Sequence, residues 1–269
     1  MITSSFSALP IELWLEIIPH LELKSLIAIR CTSRALRTLA ASADIHPCRK
    51  SFLDLYLDLI DRAWFLESRP WPLKHLRPFD RQAYLDAIAA FPNVYIPEDF
   101  AMWILEWPER TVTRCLWPGL PFAQGDDRRD PVQRRPGWNG LGMMPPTVHT
   151  FTMVDGLENG DREITHVPGL LLFDETSNQI EFLLLHRGER FKGYVVAGVD
   201  ECFDTYILSH PECGEPFWTS WIAYLEEGLI EIESRYEPHR PSYTIPSDRP
   251  STPGLRRSAS LATWPSIPS

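Results

Sequence analysis

Cysteine pairs, cationic clusters, long apolar runs and catalytic signatures are all missing from this chain, and each absence removes a class of function. The five cysteines, Cys31, Cys48, Cys115, Cys202 and Cys213, are odd in number, scattered, and include no C-x-x-C pair. Neither a disulfide framework nor a zinc cage is therefore expected. Lysine and arginine total 26 against 36 acidic residues, giving a formal charge of -10. Nucleic-acid affinity rests mostly on clustered cations facing phosphates, so no nucleic-acid partner is expected. No window reaches the roughly 18 apolar residues of a membrane span. Residues 1–30 carry Glu12, Glu16, Glu22, Lys24 and Arg30 where a secretory leader requires an unbroken apolar stretch. A reducing cytoplasmic or nuclear setting, away from membranes, is the expectation. Walker, G-x-G-x-x-G, G-x-S-x-G and H-E-x-x-H patterns are absent. No catalytic residue, cofactor or metal is assigned, and the chain is expected not to be an enzyme.

What is present points to a folded protein. A hydrophobic fraction of 44% over 269 residues supports cores for two modest domains. The 25 prolines and 10 tryptophans are high for this length. They predict short helices joined by rigid corners, with the indoles mostly in the core.

Residues 9–41 read as three short helices. Pro10 suits a helix start, Glu12 complements the helix dipole, and Leu13, Ile17 and Leu21 repeat every four residues. Ser25 is placed to cap a second helix carrying Leu26 and Ile29, and Ser33 a third carrying Leu36 and Leu39. Pro19 would remove a backbone bond and clash with the preceding turn, at about 3 kcal/mol, so the first helix should bend or stop near Ile18.

The whole run LPIELWLEIIPHLELKSLIAIRCTSRALRTLA, residues 9–40, resembles an F-box. It has the Leu-Pro-x-Glu-Leu opening, an apolar helix, a short helix with a polar opening, then Ser-Arg and a basic-apolar third helix. The resemblance implies a module that docks on a Skp-type adaptor and, through it, on a cullin scaffold. It assigns Leu9, Pro10, Leu13, Ile17 and Leu26 to the adaptor side or to the core beneath it. Three short helices cannot bury all their apolar surface against one another, which is the physical reason to expect a partner. Ser25 departs from the family pattern, which often has Asp there.

Residues 48–66 have helical length and apolar density, with Asp54, Asp58 and Asp61 on one face. That spacing suits a solvated face better than a cation site. A proline-rich corner follows at 68–79. Asp80 then caps a helix that Pro92 stops, and Phe100, Trp103, Ile104 and Trp107 form an aromatic stripe between Pro97 and Pro108. The Trp-bearing run RCLWPGLP, 114–121, resembles the region after the F-box in many fungal F-box proteins.

From Ala123 to Gly140 apolar residues nearly vanish, which predicts a flexible loop. Beyond it the runs 147–154, 168–175, 179–187, 192–198 and 204–209 predict an antiparallel sheet. Consecutive leucines at 170–172 and 183–185 predict strands buried on both faces or covered by a helix. That helix is read over 216–233, with Pro216 at its start, Phe217, Trp218, Trp221, Ile222 and Leu225 on one side, and Gly228 as a possible stop. In element order and hydropathy alone this part is faintly similar to the SUKH-type interaction fold. His149, His166, His186 and His210 accompany Cys202 and Cys213 here, without the paired spacing a metal site needs.

The expected fold class is α+β, with N-terminal helices followed by an antiparallel sheet and a C-terminal helix. The expected divisions are 1–46 for the F-box module, 47–122 for a helical linking region, 123–140 for the loop, 141–236 for a target-binding α+β domain, and 237–269 for a Ser/Pro-rich disordered tail. The functional expectation is a substrate receptor of an SCF-type ubiquitin ligase, with a protein target the sequence does not name. The alternative is a stand-alone interaction protein whose helical opening packs onto its own body.

Overall fold

Proline sets the limits of the first helix. In the computed structural model, which describes residues 9–113, 116–122, 137–156, 162–175, 179–188, 191–199 and 217–236, Pro10 is the N-cap of α1 (Ile11–Ile17). Pro19 has no N–H to continue the ladder, and the chain tightens into a 3-10 turn over Ile18–His20, so helix one stops where the sequence predicts. α2 (Leu23–Thr32) and α3 (Arg34–Ser42) follow, and Ser33 Oγ caps α3 by accepting the Leu36 N–H at 3.2 Å. Ser25 is not a cap. α2 opens earlier, at Leu23, and Ser25 lies within its first turn. The acceptor for the Leu23 N–H is instead the Glu106 carboxylate, at 2.7 Å and 83 residues away in sequence.

The next helices are α4 (Pro47–Leu59), α5 (Ala63–Ser68), α6 (Pro70–His75), α7 (Arg81–Ala89) and α8 (Glu98–Glu106). The run 48–66 thus yields two helices, and the expected corner at 68–79 holds α6. Pro70 and Pro72 sit in its first turn, where a missing N–H costs no intrahelical bond. Asp80 caps α7 through the Ala83 N–H at 2.9 Å, and beyond Pro92 the chain turns through Asn93 at φ 59°. Asp54, Asp58 and Asp61 are all exposed, and Asp58 pairs with Arg62.

The strands β1 (Gly137–Asn139), β2 (Val148–Gly156), β3 (Arg162–Glu175), β4 (Gln179–Leu184), β5 (Val195–Val199) and β6 (Phe217–Trp218) form one six-stranded antiparallel sheet. β3 is its spine. β4 runs along one edge, while β2 and β1 lie end to end along the other. Both faces are buried, as the leucine runs predict. Leu170, Leu172, Leu183 and Leu185 enter the main core, and Val167, Leu171, Phe182 and Leu184 form a second cluster. β1 occupies residues that the composition assigned to the loop, and the expected strand at 204–209 lies outside the described residues.

The C-terminal helix α9 (Trp221–Arg235) starts later and ends later than its sequence predicts. Phe217 and Trp218 pair as β6 with Val196 and Val195. Ser220 then caps α9 by accepting the Ala223 N–H at 3.1 Å. Gly228 is no stop: it is buried inside the helix, because Leu225, Leu229 and Ile232 carry the apolar stripe past it. Tyr224 of α9 donates its hydroxyl to the buried carboxylate of Glu181 on β4, tying helix to sheet.

The aromatic stripe of α8 is the hub of the core. Trp103 meets Trp117 at 4.7 Å and Trp221 at 4.9 Å between ring centroids, and Phe100 meets Trp221 at 5.1 Å, all edge to face. The main core runs without a break from Trp14 and Leu26 through α4 and α8 to Ile232. Everything described belongs to the compact unit that ends at Tyr236. The expected tail, 237–269, lies outside the described residues.

Both ends of α8 carry carboxylates that cap other helices. At its start, Asp99 Oδ2 accepts the Trp221 N–H of α9 at 2.9 Å, and burial pushes the Asp99 carboxyl above the usual carboxylate range despite these hydrogen bonds. A folded-state pKa above the unfolded one means that the folded protein holds this proton more tightly. The Asp99 contribution to stability is therefore greatest below the ordinary carboxylate pKa and declines as pH rises through the folded-state value. Asp99→Asn keeps an acceptor without the charge. Its melting temperature should match wild type in acid and exceed it near pH 7, and a variant less stable at pH 7 than in acid, relative to wild type, would contradict this.

Candidate functional site

The candidate surface grows out of the way α1 is buried. Trp14 and Ile18, four residues apart, turn into the core at 8% and 0% exposure. Leu13 and Ile17 occupy the neighbouring stripe and are left 42% and 41% exposed, with Leu9 at 40% just before the helix. Pro10 is also exposed. Of the residues assigned from sequence, the structure thus brings Leu9, Pro10, Leu13 and Ile17 to the surface and seats Leu26 in the core at 0% exposure. Leu26 takes the second of the two places allowed to it, beneath the face.

One further exposed apolar residue of α1, away from the Leu13 and Ile17 stripe, was not assigned from sequence. Ile11 is 59% exposed, the most open large apolar side chain of α1. It falls outside the four-residue repeat of Leu13, Ile17 and Leu21, and that is why periodicity missed it. An uncovered group of aliphatic side chains on one short helix is the kind of surface a partner protein covers.

Besides the shared apolar core, an ion pair of the body grips the three-helix opening. Arg49 of α4 forks onto Glu106 of α8, Nε to Oε2 at 2.8 Å and Nη2 to Oε1 at 2.7 Å. The two side chains are only 16% and 13% exposed. The Glu106 hydrogen bond raises the pKa of the Arg49 guanidinium above its already high value. Glu106 Oε2 also accepts the Leu23 N–H, and Arg49 Nη1 reaches the Pro19 carbonyl at 3.4 Å. The clamp therefore satisfies a carbonyl at the end of the 3-10 turn and an N–H at the start of α2. The corner that Pro19 forces is received by charged groups from two other helices.

Other expectations can be placed. Among the described residues, no group of three His, Cys, Asp or Glu side chains is arranged to hold a metal ion, and Cys202, His210 and Cys213 lie outside those residues. The His149 ring packs edge-on against Phe182, and burial lowers its pKa. No helix among the described residues is long and apolar enough to cross a membrane.

The F-box domain model matches residues 6–47. No curated protein and no solved structure matches the chain. The matched span covers α1 to α3 with the exposed apolar face, and ends at the first residue of α4. With the motif, the three helices and the family match falling on the same residues, this chain carries an F-box domain over residues 6–47.

Proposed function

We propose that this protein is the substrate-receptor subunit of an SCF-type ubiquitin ligase. The F-box supports a general role in binding a Skp-type adaptor and thereby a cullin scaffold. The finer reading is that the body recruits a protein target and holds it beside the ubiquitin-charged enzyme, so that the target is marked for degradation. The subunit then contributes proximity rather than bond chemistry of its own, and works in the cytoplasm, the nucleus or both.

The observation that carries this reading is the open face of α1. Were the chain a stand-alone interaction protein closed upon itself, Leu9, Pro10 and Leu13 would be covered by the body; instead Leu9 and Leu13 are 40% and 42% exposed. The Arg49–Glu106 clamp supports the receptor half of the proposal. A rigid junction keeps the effective concentration of the target's lysines high, where a floppy one would dilute it.

The test is co-purification. Tagged wild-type protein should recover a Skp-type adaptor from a fungal lysate, and Leu9→Ala with Pro10→Ala should recover little or none. Equal recovery by both proteins, or none by wild type, overturns the assignment.

A further inference from the structure

Residues 74–79 form one wall of a groove of about 820 Å³, and 118–122 with Gly142 and Met144 form the other. Its size falls within the roughly 300–1,000 Å³ of typical ligand clefts. The walls are locked together. The Arg77 N–H donates to the Gly119 carbonyl at 2.8 Å, and Asn139 Nδ2 donates to the carbonyls of Trp117 at 2.8 Å and Leu120 at 3.2 Å. A Cβ on Gly119 would lie 2.4 Å from the Arg77 carbonyl oxygen, and one on Gly142 would lie 2.3 Å from that of Leu120. Only glycine lets these segments approach so closely, so the groove is preformed rather than assembled on binding.

Its chemistry is two-sided. Lys74 and Arg77 are exposed on the first wall, and neither pairs with a carboxylate among the described residues. Asp80, the acid next to this wall, is committed to capping α7. On a chain of net charge -10, two cations lining one cleft with no carboxylate partner among the described residues form a local reversal of sign. The second wall is apolar and contains Pro118 and Pro121. It also holds Met144, 58% exposed, and Phe122, whose ring is backed from outside the groove by Trp138 at 5.4 Å between centroids. Aromatic and Met side chains at a groove are suited to gripping an apolar anchor.

We propose that this groove is the target-binding site, and that it takes an extended peptide segment carrying carboxylates toward Lys74 and Arg77 and an apolar side chain toward Phe122 and Met144. This rests on the receptor reading above, for which it supplies the class of target.

The full-length chain, with and without a Skp-type adaptor added, is used to select from a random dodecapeptide phage library. Selected peptides should be enriched in Asp and Glu flanking one large apolar residue. A synthetic copy of a selected peptide should bind wild type with salt-sensitive affinity. Its affinity should fall at least about ten-fold in Lys74→Glu/Arg77→Glu and by a similar factor in Met144→Ala. These are surface positions, so melting temperature and adaptor recovery should be unchanged. No enrichment, enrichment without acidic bias, or unchanged affinity in the charge-reversed protein overturns the proposal. Loss of adaptor recovery by wild type with peptide binding intact would instead overturn the ligase reading and leave the groove standing.

Discussion

Glu106→Ala is expected to destabilise the folded protein by about 3 kcal/mol, which for a compact unit of this size is a drop in melting temperature of about 6–12 °C. Two losses combine. The Arg49 guanidinium, 16% exposed, is left without its carboxylate, and the Leu23 N–H is left without an acceptor at the start of α2. Glu106→Gln should cost about half as much, because an amide oxygen can still take the Leu23 N–H. Glu106→Leu combined with Arg49→Met should cost less than Glu106→Ala alone, since removing both charges leaves none buried and unpaired. Hydrogen exchange locates the damage. In Glu106→Ala, amides of residues 11–45 should lose protection before those of β3 and β4, because the clamp joins the F-box helices to the body. Uniform loss of protection, or a double variant worse than the single one, would contradict this role.

The clamp also shows why only part of the structure was legible in the sequence. α1, α3, α7 and α8 are set by local signals: prolines at helix starts, Ser33 and Asp80 as caps, and apolar residues at helical spacing. Those signals act within four or five residues and read directly. The start of α2 is different. Its N–H partner comes from 83 residues away, and nothing near Ser25 announces it, so the local cap appeared to be the serine. The same holds for Phe217 and Trp218. Their apolar character suits a helix face as well as a strand, and pairing with Val196 and Val195 decides between them.

Prolines misled where they lie together. In α6, Pro70 and Pro72 look like a broken chain, yet both fit the first helical turn. Gly228 misled for the opposite reason. A lone glycine reads as a stop, but burial on both sides of it holds α9 together as far as Arg235. The candidate surface was partly legible for a related reason. Periodicity identifies apolar positions but cannot say which stripe faces inward, so Leu26 and Leu13 were indistinguishable until the body was seen to cover one and not the other.

The second large effect concerns that uncovered stripe. Leu13→Asp with Ile17→Asp places two carboxylates on the open face of α1 while leaving Trp14 and Ile18 in the core. In the free protein both new charges are bathed in water, and the cost to stability should be below about 1 kcal/mol. In a complex they would be buried without partners, so binding should weaken by at least about 100-fold. The separation of these two consequences distinguishes a docking face from a merely exposed one.

Titration calorimetry of purified adaptor into wild-type and Leu13→Asp/Ile17→Asp proteins, with melting curves on the same samples, measures both. Saturable one-to-one binding by wild type and none detectable by the equally stable variant is the predicted result. Adaptor binding that survives both substitutions, or that wild type itself does not show, would contradict the account.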